Sequence, residues 1–502
     1  MKLKHLSLAC AVACAAVSAQ AVGLNDPANA AAKAIVDDAV ANGRVMYISG
    51  ASAVQGGLGQ IASSLFTGTN YFFIPSAATG RSNSDYRAYA GKLTNAAGTW
   101  AAGTNVIIVN RARGGSVWGV NPVARAEVIE TLAVTSASCS GGSGTAAAPF
   151  TCDTLTTQKP DAGVSDVAPF LFDGAFNTEG EPAEPALSPS ELATLTASPL
   201  YALAFGLPVT RNVPATVSFN KAKVAAIMTG NVGTWNQIDA SLPADDILVC
   251  RRVNGSGTQA VANMYYGNYP CDTGTRLNVP ADREAGAAWD FVNKFVVEGD
   301  TGALNVVENS SSGNVRTCLD TAAVSAGKPF NAAANPATEV GYTAYNTADR
   351  AGNTVRVLFR DGRPHKAVGV LSMDSLSSST TTSNWSFRSL DGAGEITWTG
   401  AIATPPVVSG TGKHPTLANL IDGTWDMQGW ISFNLPSSTT GNKAALAANF
   451  IAAARSPAVL NAQSGLRWVA AAINGTPDPT STGQVQRVAY VGNDQCAPLN
   501  LK

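Results

Sequence analysis

The residues with the most chemistry to offer in this chain lie between Cys250 and Ala260, in the stretch CRRVNGSGTQA. Two guanidinium groups, Arg251 and Arg252, stand ahead of a turn residue, Asn254, and the run Gly255, Ser256, Gly257 and Thr258. Ile247 to Val249 before it reads as a strand, and Gln259 to Tyr266 after it reads as a helix. A strand that opens through small residues into a helix leaves backbone N–H groups without intrahelical partners, and the Ser256 and Thr258 hydroxyls can point the same way. Glycine lets the backbone approach a tetrahedral oxyanion closely, and Arg252 can add a forked, permanently charged partner. The chemistry implied is oxyanion binding. The same residues also suit an ordinary capped turn beside a solvated arginine, so the rest of the chain must decide.

The elements around this stretch repeat one grammar: strand, small-residue turn, helix. Val45 to Ile48 reads as a strand that runs into Ser49-Gly50-Ala51-Ser52-Ala53 and then a helix from Gln55 to Phe66. Tyr71 to Ile74 is a second strand. Asn105 to Val109 is a third, leading through Arg111, Arg113 and Ser116 into a helical pattern predicted to reach Leu132. Asp161 to Pro169 is a short strand ending on a carboxylate, and Leu200 to Val209 is an apolar strand. A helix is predicted over Lys221 to Met228 and another over Ala287 to Val297, while Asn309 to Asn314 forms a second serine-rich helix entrance. Helices at Ala28 to Asn42 and Asn442 to Arg455, with strands at Glu339 to Thr343, Thr354 to Phe359, Val368 to Leu371 and Trp430 to Phe433, complete an α/β pattern.

Other features bound the function. Lys2 and Lys4, an apolar run from Leu6 to Val17 and Ala19-Gln20-Ala21 form a secretory signal over residues 1–21, and no later stretch is apolar for long enough to span a membrane. Removing that segment takes the formal charge from −2 to −4, which argues against nucleic acid and anionic membrane as partners. Six cysteines remain, an even number in an exported chain. Proximity pairs Cys139 with Cys152 and Cys250 with Cys271, leaving Cys318 with Cys496. No spacing suits a metal, the mature chain keeps only His365 and His414, and no cofactor is expected. Gly57, Gly59 and Ala62 mimic a dinucleotide fingerprint but start too late after the strand, and the GTGKHPT segment around Lys413 lacks the first glycine of a phosphate loop.

Five ordered segments carry a resemblance. They are SGASA at Ser49 to Ala53, GVSDVAP at Gly163 to Pro169, FNKAKVAAIMTGNVGTWNQI at Phe219 to Ile238, RVNGSGT at Arg252 to Thr258 and VGYTAY at Val340 to Tyr345. With them the chain resembles the phosphate-binding proteins of ABC importers, over roughly Val209 to Tyr345 and two islands before it. The resemblance implies a two-lobed type II periplasmic-binding-protein fold, with a ligand cleft between α/β lobes and two hinge crossovers, near Leu207 and Gly341. Lobe one would combine residues 22–207 and 341–502, and lobe two residues 208–340. It further implies that Ser52 supplies a hydroxyl, Ala53 a backbone N–H, Asp166 a carboxylate that accepts the ligand's proton, and Arg252, Ser256, Gly257 and Thr258 the remaining donors. Asp161 is the alternative carboxylate, and Ser116 or Ser82 the second serine. Asn254 stands where the family has an aspartate partnering the arginine.

The expected function is therefore capture of inorganic phosphate or a related oxyanion by a periplasmic or secreted monomer, with an ABC permease as the partner it would serve. A secreted or surface binding module that keeps the fold without transport is the alternative. A phosphatase-like hydrolase fits less well, because neither Ser52 nor Ser256 lies in a Gly-x-Ser-x-Gly elbow.

Overall fold

The first half of the chain builds a sheet in which the predicted passage from strand to helix holds at the first strand. In the computed structural model, which describes residues 23–52, 55–75, 85–178, 186–272, 294–297, 302–325, 343–348, 354–359, 363–473 and 480–501, α1 (Ala30–Ala41) leads into β1 (Val45–Gly50). Then follow α2 (Gln55–Ser64), β2 (Phe66–Phe73), β3 (Tyr86–Leu93), β4 (Asn105–Arg111), β5 (Ala162–Ser165) and the long β6 (Leu195–Thr210). β1 lies parallel between β4 and β5, and β2, β3 and β4 are antiparallel neighbours. β1 and β4 are mostly buried, with apolar runs at Val45–Ile48 and Val106–Val109, because helices and loops cover both faces of the sheet. The predicted signal segment, Ala53, Ser82 and Gly341 lie outside the described residues.

The helical pattern predicted through Leu132 breaks up. A 3-10 turn at Ser116–Gly119 and a short helix at Asn121–Arg125 end at Ala126, whose left-handed φ of 53° stops the helix. The apolar residues beyond it form a strand, Ile129–Leu132, paired with Leu155–Gln158. Within the stretch predicted as a helix over Ala287 to Val297, residues Lys294–Val297 form a strand beside Thr354–Phe359.

A second sheet grows from the middle of the chain. α3 (Lys221–Met228), capped by the Asn220 side chain, precedes β7 (Leu248–Arg252) and α4 (Gly257–Gly267). β8 (Asn305–Asn309) then feeds α5 (Ser312–Val324). β9 (Ala367–Gly369), β10 (Leu371–Ser372), β11 (Trp385–Arg388) and β12 (Gly394–Thr397) follow. β7 is parallel to β8 and β9, and β11 pairs with β12. Residues 367–410, expected with the first lobe, thus extend the second sheet. Finally β13 (Gln428–Pro436), α6 (Gly441–Ala454) and β14 (Ala470–Ala472) return to the first sheet.

β6 belongs to both sheets. From Leu195 to Ala204 it is antiparallel to β13, and from Phe205 to Thr210 it pairs with β10, β9 and β11. Pro199, which has no N–H to donate, sits where the register shifts. One apolar core runs through both sheets along this strand, and a smaller one fills the space between α1 and the outer face of β3 and β4.

The cysteines pair as Cys139–Cys152, Cys250–Cys318 and Cys271–Cys496. The first matches the expectation from proximity, and the other two correct it. The 11-residue α4 carries the chain about 16 Å away from β7 before Cys271 is reached. Cys250 instead lies under α5, which packs on the parallel strands and presents Cys318. No helix among the described residues is long and apolar enough to cross a membrane.

Candidate functional site

Asp166 is the centre of the site. It follows β5 directly, where the strand has run out of partners, and only 1% of it is exposed. Its backbone N–H donates to Ser116 Oγ at 3.2 Å, its Oδ2 accepts from Thr258 Oγ1 at 3.3 Å, and the Thr258 backbone N–H also acts on the carboxyl. A carboxylate carried by the first sheet therefore sits on the N-terminus of α4, carried by the second. Its Oδ1 is buried without a hydrogen-bond partner. Burial pushes its carboxyl up to about 6, against the pull of Arg252, Thr258 and Ser116.

Glycine is required where the two sheets meet. A Cβ on Gly257 would lie 2.4 Å from Ser116 Oγ and 2.6 Å from Asp166 Cβ. Gly115, at φ 89°, has its Cα against Gly255 and Ser256, and the Val117 N–H donates to the Gly255 carbonyl at 2.9 Å. The turns after β4 and β7 are thus in direct backbone contact beside Asp166.

Arg252 ends β7 and is buried to 1% exposure. Its guanidinium donates to the carbonyls of Asn309 (3.2 Å) and Ser310 (2.8 Å) and to Ser312 Oγ (3.2 Å). Burial draws its pKa down to about 10, while Asp166 and Asp374 act to hold it up. Arg251, pointing the other way, pairs with the buried Glu308 at 2.9 Å. Asn254, expected beside Arg252, serves Arg251 instead: its Oδ1 accepts from Arg251 at 2.6 Å, and its Nδ2 donates to the Ala175 carbonyl at 3.1 Å. Side chains alternate along a strand, so consecutive arginines face opposite sides and one turn residue cannot serve both.

The other expected residues divide. Ser116, Asp166, Gly257 and Thr258 come together, with Arg252 in electrostatic reach. Ser256 caps α4, accepting from the Gln259 N–H at 3.5 Å. Ser52 lies beyond β1 with its Oγ buried and unpartnered. Asp161, the alternative carboxylate, is used up elsewhere, accepting from the Tyr47 N–H at 2.9 Å and pairing with Lys443.

Three groups near the site carried no motif. Tyr201, within the apolar part of β6, has a buried hydroxyl without a partner, and burial with the Asp374 and Asp166 carboxylates raises its pKa well above the ordinary value. Arg316 and Asp374 are the other two, and neither stands in a recognisable spacing. Ser312, by contrast, belongs to the serine-rich entrance visible in the sequence. Among the described residues no cluster of His, Cys, Asp or Glu is arranged to hold a metal.

The two sheets are also strapped together on one side of the site. Tyr265 on α4 donates to Asp426 at 2.7 Å, Asn263 donates to the Phe176 carbonyl (3.0 Å) and to Asn177 (2.9 Å), and Cys271 is bonded to Cys496. Cys496 lies between the C-terminal strands Val488–Tyr490 and Leu499–Leu501, which Tyr490 fastens to the Gln428 carbonyl of β13.

No family model and no curated protein matches the chain. Solved structures similar to it include an ABC-type phosphate transport receptor from Vibrio cholerae, at 12% identity and a TM-score of 0.37 over 84% of this chain and 99% of that one. The ancestral soluble variant of the human phosphate binding protein is similar at 14% identity and a TM-score of 0.39, over 84% and 90%. The phosphate binding protein from Stenotrophomonas maltophilia is similar at 11% identity and a TM-score of 0.34, over 83% of each chain. Similarity at this level bears on no single residue.

Proposed function

We propose that this protein captures a protonated tetrahedral oxyanion, inorganic phosphate above all, between the loops of its two sheets. The observation that carries the reading is the unpartnered Oδ1 of Asp166, a buried acceptor on a carboxyl whose other oxygen Thr258 already holds. An ionised carboxyl in that position repels a fully ionised anion but accepts a hydrogen bond from one that still holds a proton. Thr258 and the N-terminus of α4 supply donors, Arg252 supplies positive charge, and Ser116 and Ser52 supply hydroxyls. The two sheets act as two lobes joined along β6, with export to the periplasm and delivery to an ABC permease as the setting.

Calorimetric titration of the mature chain, unfolded and refolded to strip any bound ion, tests this. Tight binding of phosphate, lost in Asp166→Ala and Arg252→Ala, is the expected result. Equal binding of sulfate removes the role given to Asp166, and no heat from either ion removes the reading.

A second reading has its own observation, the Cys271–Cys496 bond that ties the end of α4 to the first sheet. A clamp strapped in this way suits a binding module that retains its ion rather than handing it on. If phosphate release accelerates many-fold after reduction by a dithiol, retention is favoured. If release is equally fast before and after, delivery is favoured.

A further inference from the structure

A second carboxylate, Asp374, is linked to Arg252 around the start of α5. Asp374 lies in the 3-10 turn Met373–Ser378, directly after β10. β10 is bonded to Phe205 and Gly206 of β6, at the point where that strand passes from one sheet to the other. The Asp374 carboxyl accepts from Ser372 Oγ at 2.6 Å and from the Ser375 N–H. Ser375 Oγ receives Arg316 Nη1 at 2.9 Å. Arg316 stands one turn after Ser312 on the same face of α5, and Ser312 is the residue that receives Arg252. Two arginines and one carboxylate are thus linked through serines around the N-terminal turns of α5.

The groups acting on one another come from every side. Arg316 of α5 and Asp166 beyond β5 act on Asp374, and Asp374 acts on Arg252 of β7 and Tyr201 of β6. Burial is the main cause that pushes the Asp374 carboxyl up to about 7. Asp166 adds to the rise, and Ser372, Arg316 and Ser375 oppose it.

We propose that Asp374 is a second proton-sharing carboxylate of the oxyanion site, and that with Asp166 it restricts the ligand to an oxyanion that brings or takes up protons. This rests on the oxyanion reading above and names its substrate class more narrowly. One carboxylate needs one shared proton. Two carboxylates within reach of the same ligand need a second, from the ligand or from solution, or they meet it as anions in a desolvated site. A dianion bound there raises the proton affinity of Asp374, so binding draws a proton in and weakens as pH rises past the point where Asp374 ionises. Sulfate brings no proton at neutral pH and is excluded by both carboxylates.

The test is calorimetric titration of the refolded mature chain at pH 8 with inorganic phosphate, in two buffers of different ionisation heat, followed by titration with sodium sulfate. The wild type is expected to bind phosphate with net proton uptake and to refuse sulfate. Asp374→Asn is expected to keep phosphate binding, take up fewer protons per phosphate and gain at least about tenfold in sulfate affinity, the size of one pKa unit of interaction. Arg316→Gln removes the cation acting on Asp374 and keeps its carboxyl, so the free chain already holds more of that proton at pH 8 and proton uptake on binding is expected to fall. A purely structural loss lowers affinity in both variants and moves neither proton count, which overturns the proposal. Phosphate binding by the wild type, with proton count and sulfate rejection unchanged in Asp374→Asn, overturns it and leaves the oxyanion reading standing. No phosphate binding by the wild type removes the reading beneath it.

Discussion

α4 and α5 begin alike and are met by opposite charges. Each follows a parallel strand of the second sheet, each opens through a turn of small polar residues, and each has a serine cap, Ser256 or Ser311. The first turn of α4 receives the Asp166 carboxylate from the other sheet. The first turn of α5 receives the Arg252 guanidinium, held by Ser312 and two carbonyls of the preceding turn. A serine-rich helix start is therefore no statement about anions on its own. What distinguishes the α4 entrance is Gly257, whose missing Cβ lets a second element come close enough to place a carboxylate there.

The largest expected effect comes from abolishing that closeness. Gly257→Ala puts a methyl group 2.6 Å from Asp166 Cβ and 2.4 Å from Ser116 Oγ, both held by short links to backbone. The turns must separate, at a cost of roughly 1–3 kcal/mol in stability. Phosphate binding is expected to disappear from calorimetry. Ser312→Ala at the other entrance removes one hydrogen bond to Arg252 and is expected to cost about 1–3 kcal/mol without abolishing binding. Equal losses in the two variants break the contrast between the entrances.

Asp166→Asn separates stability from function. In the folded protein Asp166 holds its proton up to about pH 6, above the ordinary aspartate value of 3.8. Between about pH 4 and 6 the native state binds more protons than the unfolded state, so stability falls as pH rises through that window, by up to about 3 kcal/mol in total. A neutral amide at this position carries no such penalty. The Asp166→Asn variant is expected to unfold at higher denaturant concentration than the wild type at pH 8 in phosphate-free buffer, with the advantage shrinking toward pH 4, while phosphate binding weakens by about 100-fold or more. A variant that is less stable at pH 8 removes the view of Asp166 as a strained functional group.

These contrasts explain what was legible in the sequence. The α4 entrance was, because a Gly-Ser-Gly-Thr run after an apolar strand is a local pattern, and so were β1, α3 and α5, whose caps and periodicities lie within a few residues of each other. Asp166 was legible through its neighbours Gly163 to Pro169. The influence of Asp166 on Asp374 and Tyr201 was not, because it depends on β6 changing partners at Ala204 and Phe205 and on β10 joining it there. The Cys250–Cys318 pair was hidden for the same reason: it depends on α5 lying across β7, whereas chain distance pointed to Cys271. Asn254 failed in a subtler way. The motif placed it beside an arginine, but the alternation of β7 decided which one.

The smallest effect compares the two caps themselves. Ser311 accepts from the Asn314 N–H at 3.1 Å, whereas Ser256 accepts from the Gln259 N–H at a longer 3.5 Å. If both are caps and nothing more, replacing either by alanine costs about 1 kcal/mol, the Ser256 change less than the Ser311 change because its bond is longer. The oxyanion reading adds a second consequence. Ser256 stands one residue before Gly257 at the turn that faces Asp166, so its hydroxyl can exchange the long cap bond for one to a ligand. Ser256→Ala is then expected to lower phosphate affinity by roughly tenfold, the worth of one hydrogen bond to a charged group, with little change in melting temperature. Ser311→Ala is expected to lower the melting temperature and leave affinity where it was. If affinity follows melting temperature in both variants, Ser256 is a cap alone and the ligand is held by Thr258, the backbone of α4 and Arg252.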